Sequence, residues 1–129
     1  MYAKFNTMNQ GEVDTDMSSV TKITSQEQRS EIIKGNTLVV VKNYTDWCGP
    51  CKQCNPKYAE MATRYNQDGR CILVNENVED NIQGAQNVRG VPCFHFYVNG
   101  EFRDDATLTG ADMDAVESMI STILNLKSV

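Results

Sequence analysis

The run Leu38-Val39-Val40-Val41-Lys42-Asn43-Tyr44 is separated by only Thr45 and Asp46 from Trp47-Cys48-Gly49-Pro50-Cys51. No other stretch restricts the fold as much. A β-branched, mostly apolar run of this length reads as a buried central strand. Gly49 and Pro50 set a tight turn between two cysteines that can close a small disulfide and reopen it. If a helix starts at this turn, Cys48 sits at its N-terminus, where unpaired N–H groups and the positive end of the helix dipole favour a thiolate. The thiolate is the nucleophile of disulfide exchange, so strand, turn and helix together imply thiol–disulfide chemistry.

The rest of the chain reads as alternating elements. Val20 to Ile23 has the alternation of a short strand. Ser25 with Gln28 has the spacing of a capping box, and the helix it opens, with Ile32 and Ile33 on its apolar face, should stop near Gly35-Asn36. Tyr58, Met61, Ala62 and Tyr65 recur at helical spacing after the cysteine motif. Pro56 should kink that helix, and Asp68-Gly69 should end it. Cys71 to Val74 reads as a buried strand, and Val78 to Val88 as a short helix with loops. Cys93 to Val98 is an aromatic-rich strand, and Asn99-Gly100 is a strong two-residue hairpin signal. The returning strand is expected to run from Phe102 to about Thr107. Val116, Met119, Ile120, Ile123 and Leu124 mark a last helix with Asp112 as its N-cap. This order predicts an α/β domain, a mixed sheet with helices on both faces. Residues 1–19 read as a polar extension and 20–129 as the domain.

Composition narrows the function. The chain has 129 residues, enough for one domain with a core. Its net charge of −5 argues against nucleic acid or an anionic membrane as main partner. No apolar run approaches the ~20 residues of a membrane span, and the N-terminus lacks the apolar stretch of a signal peptide. Five cysteines, an odd number, fit a secreted disulfide framework poorly. The expectation is a monomeric protein of the cytoplasm.

Taken together, these residues resemble the thioredoxin family. The string Trp47 to Lys52 is that family's signature, and the match extends to Pro56, Val91-Pro92, Asn99-Gly100 and Gly110, over roughly residues 20–126. The resemblance implies a thioredoxin fold and a thiol–disulfide oxidoreductase that reduces protein disulfides through a reversible Cys48–Cys51 pair. Cys48 would be the exposed nucleophile and Cys51 the more buried resolving thiol. Pro92 would follow a cis peptide bond. Trp47, Gly90, Val91, Pro92, Cys93 and Gly110 would line the substrate groove, with Gly49 and Pro50 supporting the site. No cofactor would be bound, and electrons would come from an NADPH-dependent flavin reductase, a thioredoxin reductase, or a related dithiol donor. Trp47 can equally be read as plain packing.

Several positions depart from the family. Lys42 stands where the buried strand usually carries an Asp, and Asn75 where a partner Lys is usual. A lysine there is expensive to keep charged without a partner. If charged it would stabilise a Cys51 thiolate and make the protein more oxidising; if neutral it could act as a base; the plain alternative is that it snorkels to the surface. Tyr44 replaces a second Trp. Cys93 replaces a Thr and should lie near the cysteine pair, where it could divert the disulfide or join a metal site, or it is simply a small buried residue. Cys54 follows Cys51 by one helical turn and reads as a spare thiol; Cys71 has no assigned role. His95, among aromatics, reads as a packed histidine rather than a catalytic one. The competing functions are a more oxidising disulfide oxidase or isomerase tuned by Lys42, and a metal-binding module using Cys48, Cys51, Cys54 and Cys93.

Overall fold

A computed structural model describes residues 15–82 and 88–127. Strand β1 (Thr21–Ile23) leads to helix α1 (Gln26–Gly35), strand β2 (Leu38–Tyr44), helix α2 (Gly49–Asp68) and strand β3 (Cys71–Asn77). A 3₁₀ turn at Val78–Asp80 follows, then β4 (Cys93–Val98), β5 (Glu101–Phe102), a second 3₁₀ turn at Asp104–Ala106, β6 (Leu108–Thr109) and α3 (Met113–Lys127). The strands lie in the order β1-β3-β2-β4-β5, with β6 also paired to β4. β1, β3 and β2 are parallel, and β4 runs antiparallel to β2. The expected mixed sheet is present.

β2 is central and buried along nearly its whole length, as its composition requires. Alternation divides its side chains between the two faces. Leu38 and Val40 join Phe94 and Phe96 beneath α2 and α3, where Tyr58, Met61, Val116 and Ile120 are also buried. Val39 and Val41 turn to the other face, with Ile33 of α1, Ile23, Val74 and Tyr97. Each large apolar side chain removed from water in these layers stabilises the fold by about 2 kcal/mol.

Local signals set the element ends. The Ser25 hydroxyl accepts the Gln28 N–H at 3.1 Å, while the Gln28 side chain accepts the Thr24 N–H at 2.7 Å, a capping box shifted by one residue on its return arm. α2 continues through Pro56 and ends at Gly69 in the left-handed conformation. Asn99 (φ 53°) and Gly100 (φ 85°) both take positive φ, as a two-residue hairpin turn with the right twist requires. Asp112 caps α3 through the Ala115 N–H, 3.0 Å away.

Four expectations need correction. β3 extends past Val74 to Asn77, because Lys42, Asn43 and Tyr44 of β2 continue the ladder opposite Asn75, Glu76 and Asn77. The strand expected over 102–107 is broken: β5 stops at Phe102, the Asp104–Ala106 turn lifts the chain, and β6 returns to pair with Cys93 and Phe94 at the far end of β4. The end of the 1–19 segment belongs to the packed structure, since Met17 lies against the core and the Ser19 hydroxyl donates to the Ala59 carbonyl at 3.2 Å. Of the helix expected over 78–88, only a 3₁₀ turn is seen; residues 83–87 lie outside the described residues, as do residues 1–14 of the extension.

Candidate active site

The C-terminal end of β2 and the start of its antiparallel neighbour β4 meet at one end of the sheet, with Asn43 opposite Cys93. The chain leaves β2 there through Thr45–Cys48 and enters β4 there through Gly90–Pro92. The Asn43 side-chain amide donates to the Cys93 carbonyl at 3.0 Å and ties the two segments together.

Cys48 is the N-cap of α2, and Gly49 and Pro50 open its first turn. Its sulfur accepts the Cys51 backbone N–H at 3.1 Å and is bonded to the Cys51 sulfur, the Cα atoms lying 5.3 Å apart. The expectation of an exposed Cys48 needs correction: it is only 5% exposed, against 2% for Cys51. The sulfur is folded back onto the helix terminus, where the N–H and the disulfide hold it. The feature that does project is Trp47, 71% exposed, its indole N–H donating to Glu79 at 3.1 Å. That exposure rules out plain packing for Trp47. Asn77 braces the same rim through Asp46 at 3.2 Å.

The Val91–Pro92 bond is cis. Gly110 donates its N–H to the Pro92 carbonyl at 2.8 Å, and Gly90 lies against Thr109. Gly110 has φ 107°, a conformation that side-chain-bearing residues rarely adopt, so glycine suits this contact. Gly90, Val91 and Gly110 are thus one half-buried surface, with Pro92 buried beneath it. Cys93 is not part of it. It is buried and shares a strand face with His95 and Tyr97, opposite Phe94 and Phe96 beneath α2. Its sulfur meets the Thr109 hydroxyl at 3.8 Å. A four-cysteine metal site built with Cys93 does not form, and among the described residues no three His, Cys, Asp or Glu side chains gather as a metal-ligand group. His95 is packed as expected, 3.4 Å from the Asn43 amide and edge-on to Phe102.

Lys42 does not snorkel. It is 1% exposed, opposite Asn75 in the β2–β3 ladder. Its ammonium donates to the Asn55 side chain and lies 5.4 Å from the Tyr58 ring centroid and 5.9 Å from that of Tyr44. Burial pulls its pKa from the ordinary 10.5 down to about 8, against a smaller opposing effect of Cys54. Burial raises the thiols: Cys71 is pushed up to about 12, while Lys42 holds Cys54 back and Thr109 holds Cys93 back.

A lysine whose folded pKa is depressed destabilises the fold wherever it is charged. Between pH 8 and 10.5 the unfolded chain keeps a Lys42 proton that the folded chain has released, so stability rises with pH across this window. Below it the cost is fully present, about 3 kcal/mol at about 1.4 kcal/mol per pKa unit. Lys42→Met in the oxidised protein is therefore expected to resist urea better than wild type by about 2–3 kcal/mol at pH 7. The advantage should shrink towards pH 10.5. An advantage independent of pH would be a packing effect and would contradict this account.

Against known proteins, the thioredoxin family model matches residues 19–122. The chain belongs to the thioredoxin family. It is 33% identical over 100 residues to thioredoxin 1 of Plasmodium falciparum, a match covering 76% of this chain and 91% of that protein. A solved structure of Plasmodium falciparum thioredoxin superposes with a TM-score of 0.70 at 32% identity, covering 80% of this chain and 98% of that one. The oxidised mitochondrial thioredoxin 3 of Saccharomyces cerevisiae gives 0.73 at 26% identity, covering 84% and 99%. This thioredoxin-family chain is a thiol–disulfide oxidoreductase with its cysteine pair at the start of α2. No helix among its described residues is long and apolar enough to cross a membrane.

What sequence reasoning missed is an ion pair on the opposite face. Arg29 of α1 meets the fully buried Glu76 carboxylate at 3.2 Å, stacks 5.1 Å from the Tyr97 ring centroid and donates to the Tyr97 hydroxyl. Its members are 47 and 68 residues apart in the chain, so no local spacing announces them.

Proposed function

We propose that the chain reduces protein disulfides, with Cys48 as the attacking sulfur and Cys51 as the resolving one. The observation that carries the assignment is the Cys51 N–H aimed at the Cys48 sulfur on a helix N-terminus. A hydrogen bond to the charged form favours that form, and the helix dipole adds to it. The two sulfurs carry both electrons, so no bound cofactor is required. Trp47, Gly90, Val91 and Gly110, set by the buried Pro92, would receive an extended segment around the substrate disulfide. A flavin reductase drawing on NADPH, or a similar dithiol donor, would return the electrons in the cytoplasm.

The test is reduction of insulin disulfides with dithiothreitol as donor, beside a Cys48→Ser control. Catalysis well above background in wild type and none in the control is expected. Equal rates in both would refute the assignment. A more oxidising role has one observation in its favour, the Lys42 ammonium beneath α2. Equilibration with glutathione separates the two readings: a potential around −270 mV, typical of thioredoxin, marks a reductase, and one around −180 to −120 mV an isomerase or oxidase.

A further inference from the structure

Beneath the first turns of α2 lies a cavity of about 380 Å³. Lys42 and Cys51 both form part of its wall, and at about 30 Å³ per molecule it has room for several waters. Lys42 is the most deeply buried charged side chain there. Asn55, one turn beyond Cys51 on the same helix, accepts a hydrogen bond from its ammonium through Oδ1, and the side-chain Oδ1 of Asn75 on the wall is buried and has no donor. The charged and titratable groups that face Lys42 are Cys51, Cys54, Lys52 and Tyr58 from α2, Tyr44 and Asp46 from the end of β2 and its loop, and Lys22 from β1.

From this arrangement we propose that Lys42 is the proton acceptor that releases the Cys51 thiolate in the resolving step. The proposal rests on the dithiol reading above. Cys48 thiolate attacks one sulfur of the substrate disulfide; that bond breaks, the first substrate thiolate leaves, and a mixed disulfide forms. The neutral Lys42 amine then takes the Cys51 proton through cavity water. Cys51 thiolate attacks the Cys48 sulfur, the Cys48–Cys51 bond forms, and the second substrate sulfur leaves as a thiolate. The ammonium returns its proton to solvent through the cavity. The substrate gains two electrons and the cysteine pair loses two.

The fit goes beyond placement. A buried ammonium near a thiol lowers the thiol's pKa, and a buried amine can take its proton, here through the water of the shared cavity. The two groups therefore hold one proton between them and titrate as a pair. Burial brings Lys42 to about 8, close enough to ambient pH for it to accept and release a proton at each turnover. Lys42 does not touch the reacting sulfurs, so it is a positioning residue, and pH dependence is its signature.

The experiment is stopped-flow reaction of the fully reduced protein with dithiobis-nitrobenzoate, which releases one coloured thiolate on attack by Cys48 and a second on resolution by Cys51. In wild type the second phase should rise with pH and level off at or below about pH 8. In Lys42→Met the first phase should be unchanged, while the second should slow about tenfold at pH 7, its inflection moving up by at least about one unit. Cys54→Ala should leave both phases as in wild type. A second phase in Lys42→Met with the wild-type inflection overturns the proposal. So does a Cys54→Ala profile that matches Lys42→Met, because the lysine would then serve Cys54. If wild type shows no paired phases, the dithiol reading itself fails, and that outcome is distinct from a failure of Lys42.

Discussion

Cys51→Ser is expected to convert the enzyme into a trap. Cys48 would still attack a substrate disulfide, since its helix N-terminus and the residue-51 N–H remain in place. The mixed disulfide would then have no intramolecular thiol to break it. Serine is close in size to cysteine, and the position is buried, so the fold should tolerate the change. Turnover should fall by at least about 10³-fold, as expected when one member of a unit that acts together is removed. A protein–substrate adduct should accumulate, stable to non-reducing electrophoresis and released by dithiothreitol. Cys54 makes this a sharp test, because it lies one turn beyond Cys51 on the same helix. Its thiol is raised by burial and held in the core, so it should not substitute. Rapid turnover without an adduct in Cys51→Ser would mean that Cys54 or another thiol resolves the intermediate.

The second large effect lies on the other face. Glu76→Ala should destabilise the protein by about 3 kcal/mol, measured by urea unfolding at pH 7. The carboxylate is fully buried, and the Arg29 side chain is only 12% exposed. Removing one partner strands a guanidinium where water reaches it poorly. The Tyr97 hydroxyl and ring would still hold Arg29, which places the loss at the lower end of the range for buried pairs. Replacing both ends, Glu76→Met with Arg29→Met, should recover most of it, because two apolar side chains need no partner. A loss below about 0.5 kcal/mol in the single variant would show that the pair adds nothing beyond a surface bridge.

Sequence patterning was legible where one residue type does one job. β2 and β4 begin and end where their apolar runs do, because both are buried strands whose flanks are turn residues. Ser25, Gly69, Asn99-Gly100 and Asp112 act within a few residues, so their effects are local. The cysteine motif carried the active site for the same reason: turn, helix start and both sulfurs lie within five residues. Legibility failed where burial and polarity disagree. Asn75, Glu76 and Asn77 do not look like a strand, yet β2 opposite supplies the ladder and distant partners take the side chains. The two acidic residues at Asp104-Asp105 make a turn where the hairpin signal suggested an uninterrupted strand. Cys93 was expected near the cysteine pair; it turns to the face of His95 and Tyr97, since the parity of a strand is set by its pairing and not by the residue before it.

Cys54, Cys71 and Cys93, all buried, also give the molecule an internal alarm. With the active pair closed, a thiol-alkylating reagent meets no exposed cysteine while the native packing lasts. Each thiol that reacts thereafter counts a molecule that has opened. Cys71 sits where β3 starts and Cys54 under the middle of the first half of α2, so the order in which they are labelled would chart which part of the core lets go first.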